Sequence, residues 1–384
     1  MECKRHRGVP LKKLLTVVLF IAGNAIGASV LGLPIVVRTA GFIPGSVACI
    51  LMCIVMASAE LLMARLFIES RADDLPGMFR EKLGHRTTVI FNFSYFTLFF
   101  CLLVAYWSGT RSILSIFSPG NVMFSLSVGA VLCCLIFGFR VAGPMNSLLT
   151  FCMAVSFACM CAKTFASRGV PLAETINFKS AAFALPIIVL SYCFHGAIPL
   201  ICRQLEYSKK MVKNAIILGA LFPLIFNVSI LFIAFRVLTP HDLAMGEANG
   251  WPVFVALANK FSSGSFVYLG NLFSIFAILS SLVGVTITTS GAVRDVWRGG
   301  VKMSRAAEVF VLLLLPLSVA VSCPKIFIRI LEFSGGILSN FMVGILPIAV
   351  LIREKKMNWK YAALLAVFLF ILCVEISKLI PSAG

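Results

Sequence analysis

The sequence predicts an all-α polytopic membrane protein with about 11 transmembrane helices. Of its 384 residues, 60% are apolar and only 12% are charged, and the mean hydropathy is +1.01. A water-soluble fold of this composition would expose too much apolar surface. The apolar residues also gather in runs that match the roughly 20 residues a helix needs to cross a bilayer.

Eleven such runs emerge when the hydropathy is averaged in a window of about 19 residues. They cover approximately 12–37, 42–67, 88–116, 121–139, 145–166, 183–201, 211–237, 264–290, 305–322, 326–352 and 359–381. The first run is longer than the apolar part of a signal peptide and shows no clear cleavage site, so we expect it to stay as a helix. The connecting loops are mostly short, and we expect 1–384 to form a single transmembrane domain.

The positions of the basic residues predict the orientation. Lys and Arg outnumber Asp and Glu by 33 to 15, and they cluster at the N-terminus and in alternate loops, such as 203–213 and 353–360. In a soluble protein this excess would suggest nucleic acid, but basic clusters between apolar runs are typical of cytoplasmic loops. We therefore expect a cytoplasmic N-terminus, an external C-terminus and no nucleic-acid partner.

The chain lacks the sequence features of an enzyme or a metal site. Most of its 13 cysteines lie inside apolar runs, where we interpret them as small packing residues. The closely spaced pairs among them do not have the spacing of a zinc or redox motif. The sequence shows no nucleophile motif or phosphate-binding loop either. We expect no catalytic residue, no bound metal and no cofactor.

Two of the apolar runs are interrupted at mid-depth by short glycine-bearing polar stretches. The first comprises Gly23, Asn24, Ala25, Ile26 and Gly27, and the second comprises Phe194, His195, Gly196 and Ala197. Backbone that leaves a helix inside a bilayer is tolerated only where protein covers it or where it lines a polar cavity. Breaks at corresponding places in two halves of a chain indicate the substrate site of a transporter. For the first break, close packing of helices through small residues is the alternative.

Broken helices provide the chemistry to bind an amino acid without charged side chains. The amino end of a half-helix presents free N–H groups to a carboxylate, and the carboxyl end of another presents carbonyls to an ammonium group or a cation. His195 could bond the polar end of the substrate, carry a proton or serve only the structure. Phe194 is either a wall for the substrate or an ordinary lipid-facing residue.

The residues around both breaks resemble those of known transporters. The run Ala-Gly-Asn-Ala-Ile-Gly at 22–27, with the residues that follow it, resembles the broken first helix of amino acid transporters with the LeuT-type fold. The run Tyr-Cys-Phe-His-Gly-Ala-Ile-Pro at 192–199 resembles the sixth helix of the bacterial aromatic amino acid permeases, which are tyrosine-specific and tryptophan-specific. Segments beginning at Lys213 and Ser280 resemble the seventh and eighth helices of the same family.

The resemblance implies a LeuT-type 5+5 inverted repeat plus one extra helix. The first repeat would cover about 12–166, the second about 183–352 and the extra helix about 359–381. In that architecture the third and eighth helices complete the pocket, which adds Tyr106 and Ser108 to the expected substrate-binding residues. Tyr106 offers a ring and a hydroxyl, although a tyrosine beside a tryptophan could also belong to the interfacial belt.

The coupling ion stays open at this level. The resemblance places sodium among carbonyls of Gly23, Ile26 and Ala277 and hydroxyls of Ser280 and Ser281, an all-oxygen set that suits a hard cation. Hydroxyls can equally bond to their own helix, and the aromatic permeases are generally proton-coupled.

Acidic residues inside the apolar runs are few, so each invites a hypothesis. Glu332 is a candidate proton carrier or gate, with an ion pair to Arg329 as the alternative. Glu60 is expected to pair with Arg65 on the same helix.

The sequence therefore predicts a secondary active transporter, a monomer in the bacterial inner membrane, that imports tyrosine or tryptophan by alternating access. Proton symport is the first expectation. The alternatives are a sodium-coupled symporter of neutral amino acids and, in a different class, a sensor or a channel. The sequence does not rank tyrosine, tryptophan and phenylalanine as substrates. A larger neutral amino acid such as leucine is a further possible substrate.

Overall fold

The computed structural model describes residues 11–114, 127–132, 136, 139–166, 176–260, 265–296, 304–323 and 325–380. Within these ranges all regular structure is helical. The main helices in chain order are α1 (Leu11–Ala25), α2 (Ala28–Val37), α3 (Phe42–Ser70), α4 (Leu75–Leu83), α5 (His85–Leu114), α6 (Phe139–Ala166), α7 (Leu185–Leu190), α8 (Ile198–Gln204), α9 (Lys209–Val237), α10 (Pro240–Asn249), α11 (Val253–Lys260), α12 (Ser265–Val296), α13 (Ala306–Ser322), α14 (Phe327–Arg353) and α15 (Trp359–Leu379).

The prediction of an all-α protein with many apolar spans is confirmed. In the described ranges seven helical segments are long and apolar enough to cross a membrane, and α1 with α2 forms a further unit bent by 54°. The apolar parts of α6 and α13 are shorter. The predicted run 121–139 lies largely outside the described residues, so the count of eleven spans and the division into two repeats remain predictions.

Ion pairs between distant segments mark the two ends of the helix bundle. At one end, here called the N-face, Lys13 of α1 pairs with Glu206, which precedes α9. At the other end, called the C-face, Arg38 after α2 pairs with Glu247 of α10. The two helical breaks lie between these ends.

The first break is shorter than the sequence predicts. Only Ile26 and Gly27 leave the helix, because α1 continues to Ala25 and α2 begins at Ala28. Gly23 therefore stays helical, and a Cβ atom built on it would lie 3.4 Å from Oγ1 of Thr150. The predicted unwinding at Gly23 is wrong, since this glycine lies in the helix and packs against α6.

The second break begins earlier than predicted. The chain leaves α7 at Ser191 and is not helical through Phe194, and residues 195–197 then form a single 3-10 turn before α8. Two hydrogen bonds from neighbouring helices fix the stretch. The Tyr192 hydroxyl donates to the carbonyl of Cys49 on α3 at 2.9 Å, and the Asn227 amide on α9 donates to the Ser191 hydroxyl at 2.9 Å.

Helix α14 packs directly on α7, the half of this broken segment that lies toward the C-face. Over Ser334–Ile345 it widens into a π-helix, a form that is rare and concentrated at functional sites. A Cβ atom on Gly335 would collide with the carbonyl oxygen of Pro186 on α7. A glycine is therefore required at residue 335 for the backbones of α14 and α7 to meet.

Candidate substrate site

A cavity of about 350 Å³ lies between the two breaks. Its described walls come from α1, α2, α5, α7, α8, α12, α14 and the break residues themselves. They are Phe20, Asn24, Ala25, Gly27, Ser29, Leu98, Phe99, Leu102, Tyr106, Leu190, Cys193, Phe194, His195, Gly196, Ala197, Leu200, Val285 and Leu331. A largely apolar enclosure of this size with a few polar groups is typical of a small-molecule site.

Most residues predicted to bind substrate line this cavity. They are Asn24, Ala25, Gly27, Tyr106, Phe194, His195, Gly196 and Ala197. The other two lie outside the described lining. Gly23 packs against α6, and Ser108 is buried in α5, where its carbonyl accepts a hydrogen bond from the Ser112 hydroxyl at 3.1 Å.

Side chains of α5 and α12 meet the backbone of the first break at Gly27. A Cβ atom built there would lie 3.2 Å from the Ser281 hydroxyl oxygen and 3.3 Å from the Tyr106 hydroxyl oxygen. Helix α2 starts at the next residue, and the Val30 N–H donates to the Gly27 carbonyl at 3.2 Å. The N–H groups of the two helix residues before Val30 have no acceptor one turn earlier in the helix. Two hydroxyls and free amides therefore surround the same point.

The cavity extends toward the N-face. Its lining includes Phe20, Leu98, Leu200 and Val285, each one to two turns closer to that face than the break residues or Tyr106. Asn24 is exposed although it lies at mid-depth. These positions indicate that the site is approached from the N-face.

Close packing shuts the site on the side of the C-face. A Cβ atom on Gly32 of α2 would lie 2.8 Å from the Ile187 side chain on α7. A Cβ atom on Gly109 of α5 would lie 2.9 Å from the Phe327 ring on α14. Through these glycines α2 packs closely on α7, and α5 packs closely on α14, on the C-face side of the cavity.

The lining contains no formal charge among its described side chains, since none is Asp, Glu, Lys or Arg. A zwitterionic ligand would have to be held by helix ends, hydroxyls and His195. The N-terminus of α2 suits a carboxylate, because free amides and the helix dipole both favour negative charge there. The last carbonyls of α1 suit an ammonium group.

His195 has one satisfied and one open ring nitrogen. Its Nδ1 lies 2.9 Å from the Cys193 sulfur, and its ring meets Tyr95 of α5 edge-on with centroids 5.9 Å apart. The Nε2 atom is buried and has no hydrogen-bond partner in the described part of the chain. The imidazole can therefore gain a further hydrogen bond from a ligand or water.

Glu60 is the residue whose surroundings the sequence analysis misjudged. The expected pair with Arg65 is wrong, because Arg65 bonds Glu69 at 2.9 Å. Glu60 is instead fully buried, and its Oε1 accepts the backbone N–H of Phe194 at 3.2 Å. The sequence signal was an acidic residue in an apolar run, but nothing in the sequence linked it to the second break.

Glu60, Cys193 and His195 form a compact group behind the cavity. Each offers one ligand-type atom, and these atoms lie within 4.8 Å of one another. A group of this kind can exchange protons or bind a cation. The sequence analysis had not combined these residues.

The residues predicted for ion coupling make different contacts. The Ser280 hydroxyl donates to the carbonyl of Ala277 at 3.1 Å within α12, whereas Ser281 faces Gly27. The Ile26 N–H donates to the carbonyl one turn before it in α1. Glu332 accepts a hydrogen bond of 2.5 Å from Lys378 of α15. Its ion-pair partner is therefore Lys378 and not Arg329, the alternative considered from the sequence.

Comparison with known proteins indicates a membrane transport protein. The chain matches the model of the tryptophan/tyrosine permease family over residues 11–377. It is 24% identical to glutamine transporter 2 of Aliivibrio fischeri over 359 residues, which cover 90% of each chain. It is also 24% identical to tyrosine-specific transport system 1 of Haemophilus influenzae over 365 residues, which cover 90% of this chain and 89% of that one. Among solved structures, a mutant of the manganese transporter of Eremococcus coleocola has a similar fold, with a TM-score of 0.64 at 12% identity over 98% of this chain and 88% of that one.

Proposed function

The chain belongs to the tryptophan/tyrosine permease family and is therefore a multi-pass membrane transport protein, and from that premise we propose that it imports an aromatic amino acid, tyrosine or tryptophan, by proton symport. The observation that carries this proposal is the cavity between the two helical breaks. Its walls combine free helix ends, suited to a zwitterion, with a chamber that fits an amino acid side chain.

The chamber favours an aromatic side chain. Phe20, Phe99, Tyr106 and Phe194 present rings to the cavity, alongside several leucines. Aromatic rings pack edge-on or offset against one another with a gain beyond simple burial. In our proposal the N-terminus of α2 binds the substrate carboxylate and these rings enclose its side chain.

The proposed setting is the bacterial inner membrane, with the N-face in the cytoplasm. The Lys and Arg clusters that follow α3, α8 and α14 all belong to the N-face, as the positive-inside rule requires of cytoplasmic loops. With that orientation the cavity is open to the cytoplasm, the arrangement from which an importer releases its substrate. We propose that the protein works as a monomer, since one chain supplies both breaks.

Two alternatives rest on specific observations. The likeness to a protein named as a glutamine transporter favours a polar neutral amino acid as a second candidate substrate. Ser281 beside Gly27 is the oxygen ligand best placed for sodium at the first break. Sodium coupling is therefore the alternative to proton coupling.

Counterflow in proteoliposomes tests the proposal. Purified protein is reconstituted with unlabelled tyrosine inside, and entry of labelled tyrosine is followed with unlabelled tryptophan, phenylalanine or glutamine as competitor. Saturable exchange that the aromatic amino acids compete for supports the proposal. An unsaturable leak would indicate a channel, and competition by glutamine alone would overturn the aromatic assignment.

A pair of matched variants connects the result to the cavity. Phe99 lines the cavity, whereas its neighbour Phe100 lies outside the described lining. Phe99→Leu should raise the concentration of tyrosine needed for half-maximal exchange, and Phe100→Leu should not. Repeating uptake without sodium, and then with the proton gradient collapsed, identifies the coupling ion.

A further inference from the structure

A buried carboxyl group holds the second break from behind the cavity. Glu60 of α3 is 0% exposed, and one of its oxygens accepts the Phe194 N–H. Its other oxygen, Oε2, is buried and has no hydrogen-bond partner in the described residues. No Lys or Arg pairs with it in that part of the chain, since Arg65 bonds Glu69.

The groups that surround Glu60 and its two neighbours in the break come from three other elements. Cys193 and His195 belong to the break, and Tyr95 of α5 packs edge-on against the His195 ring. Ser339 of α14 lies beside the Cys193 sulfur. None of these side chains carries a permanent positive charge, so the described surroundings leave a Glu60 carboxylate without a counter-ion.

Burial favours the neutral, protonated form of Glu60 over the ionised carboxylate. An ionised carboxylate in a membrane interior is costly unless it is paired. The neutral acid avoids that cost, because it carries its proton on one oxygen and accepts a hydrogen bond on the other. Oε1 is the accepting oxygen, which leaves Oε2 as the one that carries the proton.

The cavity provides a route by which this proton can exchange. Cys193 and His195 both line the cavity and also face Glu60. Water in the cavity therefore reaches the imidazole, which can take up a proton at one nitrogen and pass one on from the other. The contact of 2.9 Å between Cys193 and His195 is a hydrogen-bond distance, and the Phe194 N–H already occupies Oε1. This geometry fits proton exchange better than a metal ion coordinated by all three side chains.

We propose that Glu60 is the binding site for the coupling proton, with His195 as its connection to the cavity. The proposal rests on the proton-coupled transport put forward above. When the cavity is closed and dry, Glu60 holds its proton and its bond to the Phe194 amide. When the cavity is open to one face and holds water, the proton on Glu60 exchanges with that face through His195. Because Glu60 holds the backbone of the substrate site, its proton state and the geometry of the second break change together.

The test compares Glu60→Gln with Glu69→Gln in proteoliposomes supplied with labelled tyrosine. Glutamine keeps the accepting oxygen and resembles the neutral acid, but it cannot release a proton. Glu69 lies on the same helix and pairs with Arg65 at the surface. For one proton per substrate, an inward gradient of one pH unit can drive at most about tenfold accumulation.

We expect wild-type protein and Glu69→Gln to approach that accumulation. Glu60→Gln should exchange tyrosine at a rate that no longer depends on pH, with an accumulation ratio of about one. Accumulation by Glu60→Gln equal to that of wild type would overturn the proposal. Accumulation by wild type in a sodium gradient, and not in a pH gradient, would overturn it as well. Absence of any tyrosine exchange by wild type would instead count against the proposed function.

A second measurement needs no transport and covers the case in which Glu60→Gln reconstitutes poorly. Infrared difference spectra of the purified protein between acidic and alkaline buffer should show the C=O band of a buried protonated carboxyl group. We expect Glu60→Asp to keep such a band with a shifted pH midpoint and Glu60→Gln to lack it. A band that is identical in wild type and Glu60→Gln would place the proton elsewhere.

Discussion

The substitution Gly27→Ala probes how closely the first break is surrounded. The added Cβ would lie 3.2 Å from the Ser281 hydroxyl oxygen and 3.3 Å from the Tyr106 hydroxyl oxygen. Separations of 3.0–3.4 Å are tighter than nine in ten Cβ contacts in proteins, so both neighbours would have to move by a few tenths of an ångström. The backbone at Gly27, with φ of −133° and ψ of −156°, is extended and open to any residue. The cost of the substitution is therefore steric and falls on two side chains of the site.

Overpacking of this kind costs about 1–3 kcal/mol. If the cost falls on the substrate-bound state, binding weakens by about 5- to 150-fold, since each 1.4 kcal/mol or so is a factor of ten. The measurement is the dissociation constant of labelled tyrosine for purified protein, determined beside the melting temperature. A weaker affinity with an unchanged melting temperature assigns the effect to the site.

Gly284→Ala is the matched control on the facing helix α12. Its Cβ would lie 3.6 Å from the Asn24 amide oxygen, an ordinary contact, so we expect a change in affinity of less than about twofold. Adding Ser281→Gly to Gly27→Ala should recover part of the lost affinity, because it removes the nearer of the two contacts. Normal binding by Gly27→Ala together with impaired binding by Gly284→Ala would refute the packing argument.

Three further predictions concern side-chain hydrogen bonds that stabilise the fold. Lys378→Met removes the hydrogen bonds to Glu332 and to the Phe183 carbonyl together with the ion pair to the buried Glu375, and should lower stability by about 1–3 kcal/mol. The melting temperature should recover in part in the double variant with Glu332→Gln, and no recovery at all would contradict the pairing with Glu332. Asn227→Ala removes the donor to the Ser191 hydroxyl and should cost about 1–2 kcal/mol, whereas an unchanged melting temperature would show that the second break needs no brace from α9. Hydrogen bonds from two neighbouring lysines lower the pKa of Glu354 from 4.5 to about 2. A pKa lowered by folding stabilises the protein above the unfolded value and loses that effect as the pH falls through the folded value. The difference in melting temperature between wild type and Glu354→Gln should therefore be constant above pH 4.5 and disappear toward pH 2; a constant difference throughout would contradict it.

Local sequence was sufficient to find both breaks and eight of the 18 described residues that line the cavity. Glycine and polar residues inside an apolar run are local signals, and their side chains face the space that the break creates. The extent of the first break was not predictable in the same way. Helix α1 continues through Gly23 to Ala25. Gly23 packs there against Thr150 of α6, a contact with a residue far away in the chain.

Glu60 shows why spacing along one helix can mislead. Arg65 lies five residues after Glu60, which on an α-helix is a rotation of about 140° away from it. Glu69 lies four residues after Arg65, on the same side, and forms the pair that the structure shows. The partner of Glu60 is a backbone N–H of a segment more than a hundred residues later. No pattern within the apolar run of α3 carries that information.

In the proposed transport cycle, the two breaks let one site serve two faces. The outer halves of the broken segments touch at Gly32 and Ile187, so access from the C-face requires them to separate. Their inner continuations, α1 and α8, already border the open side of the cavity. The break residues are the points where each half can turn relative to the other without breaking regular helix hydrogen bonds. A ligand that contacts both breaks has a different affinity when the half-helices move relative to each other. Because of that difference, binding can shift the equilibrium between the arrangement open to the N-face and the one open to the C-face.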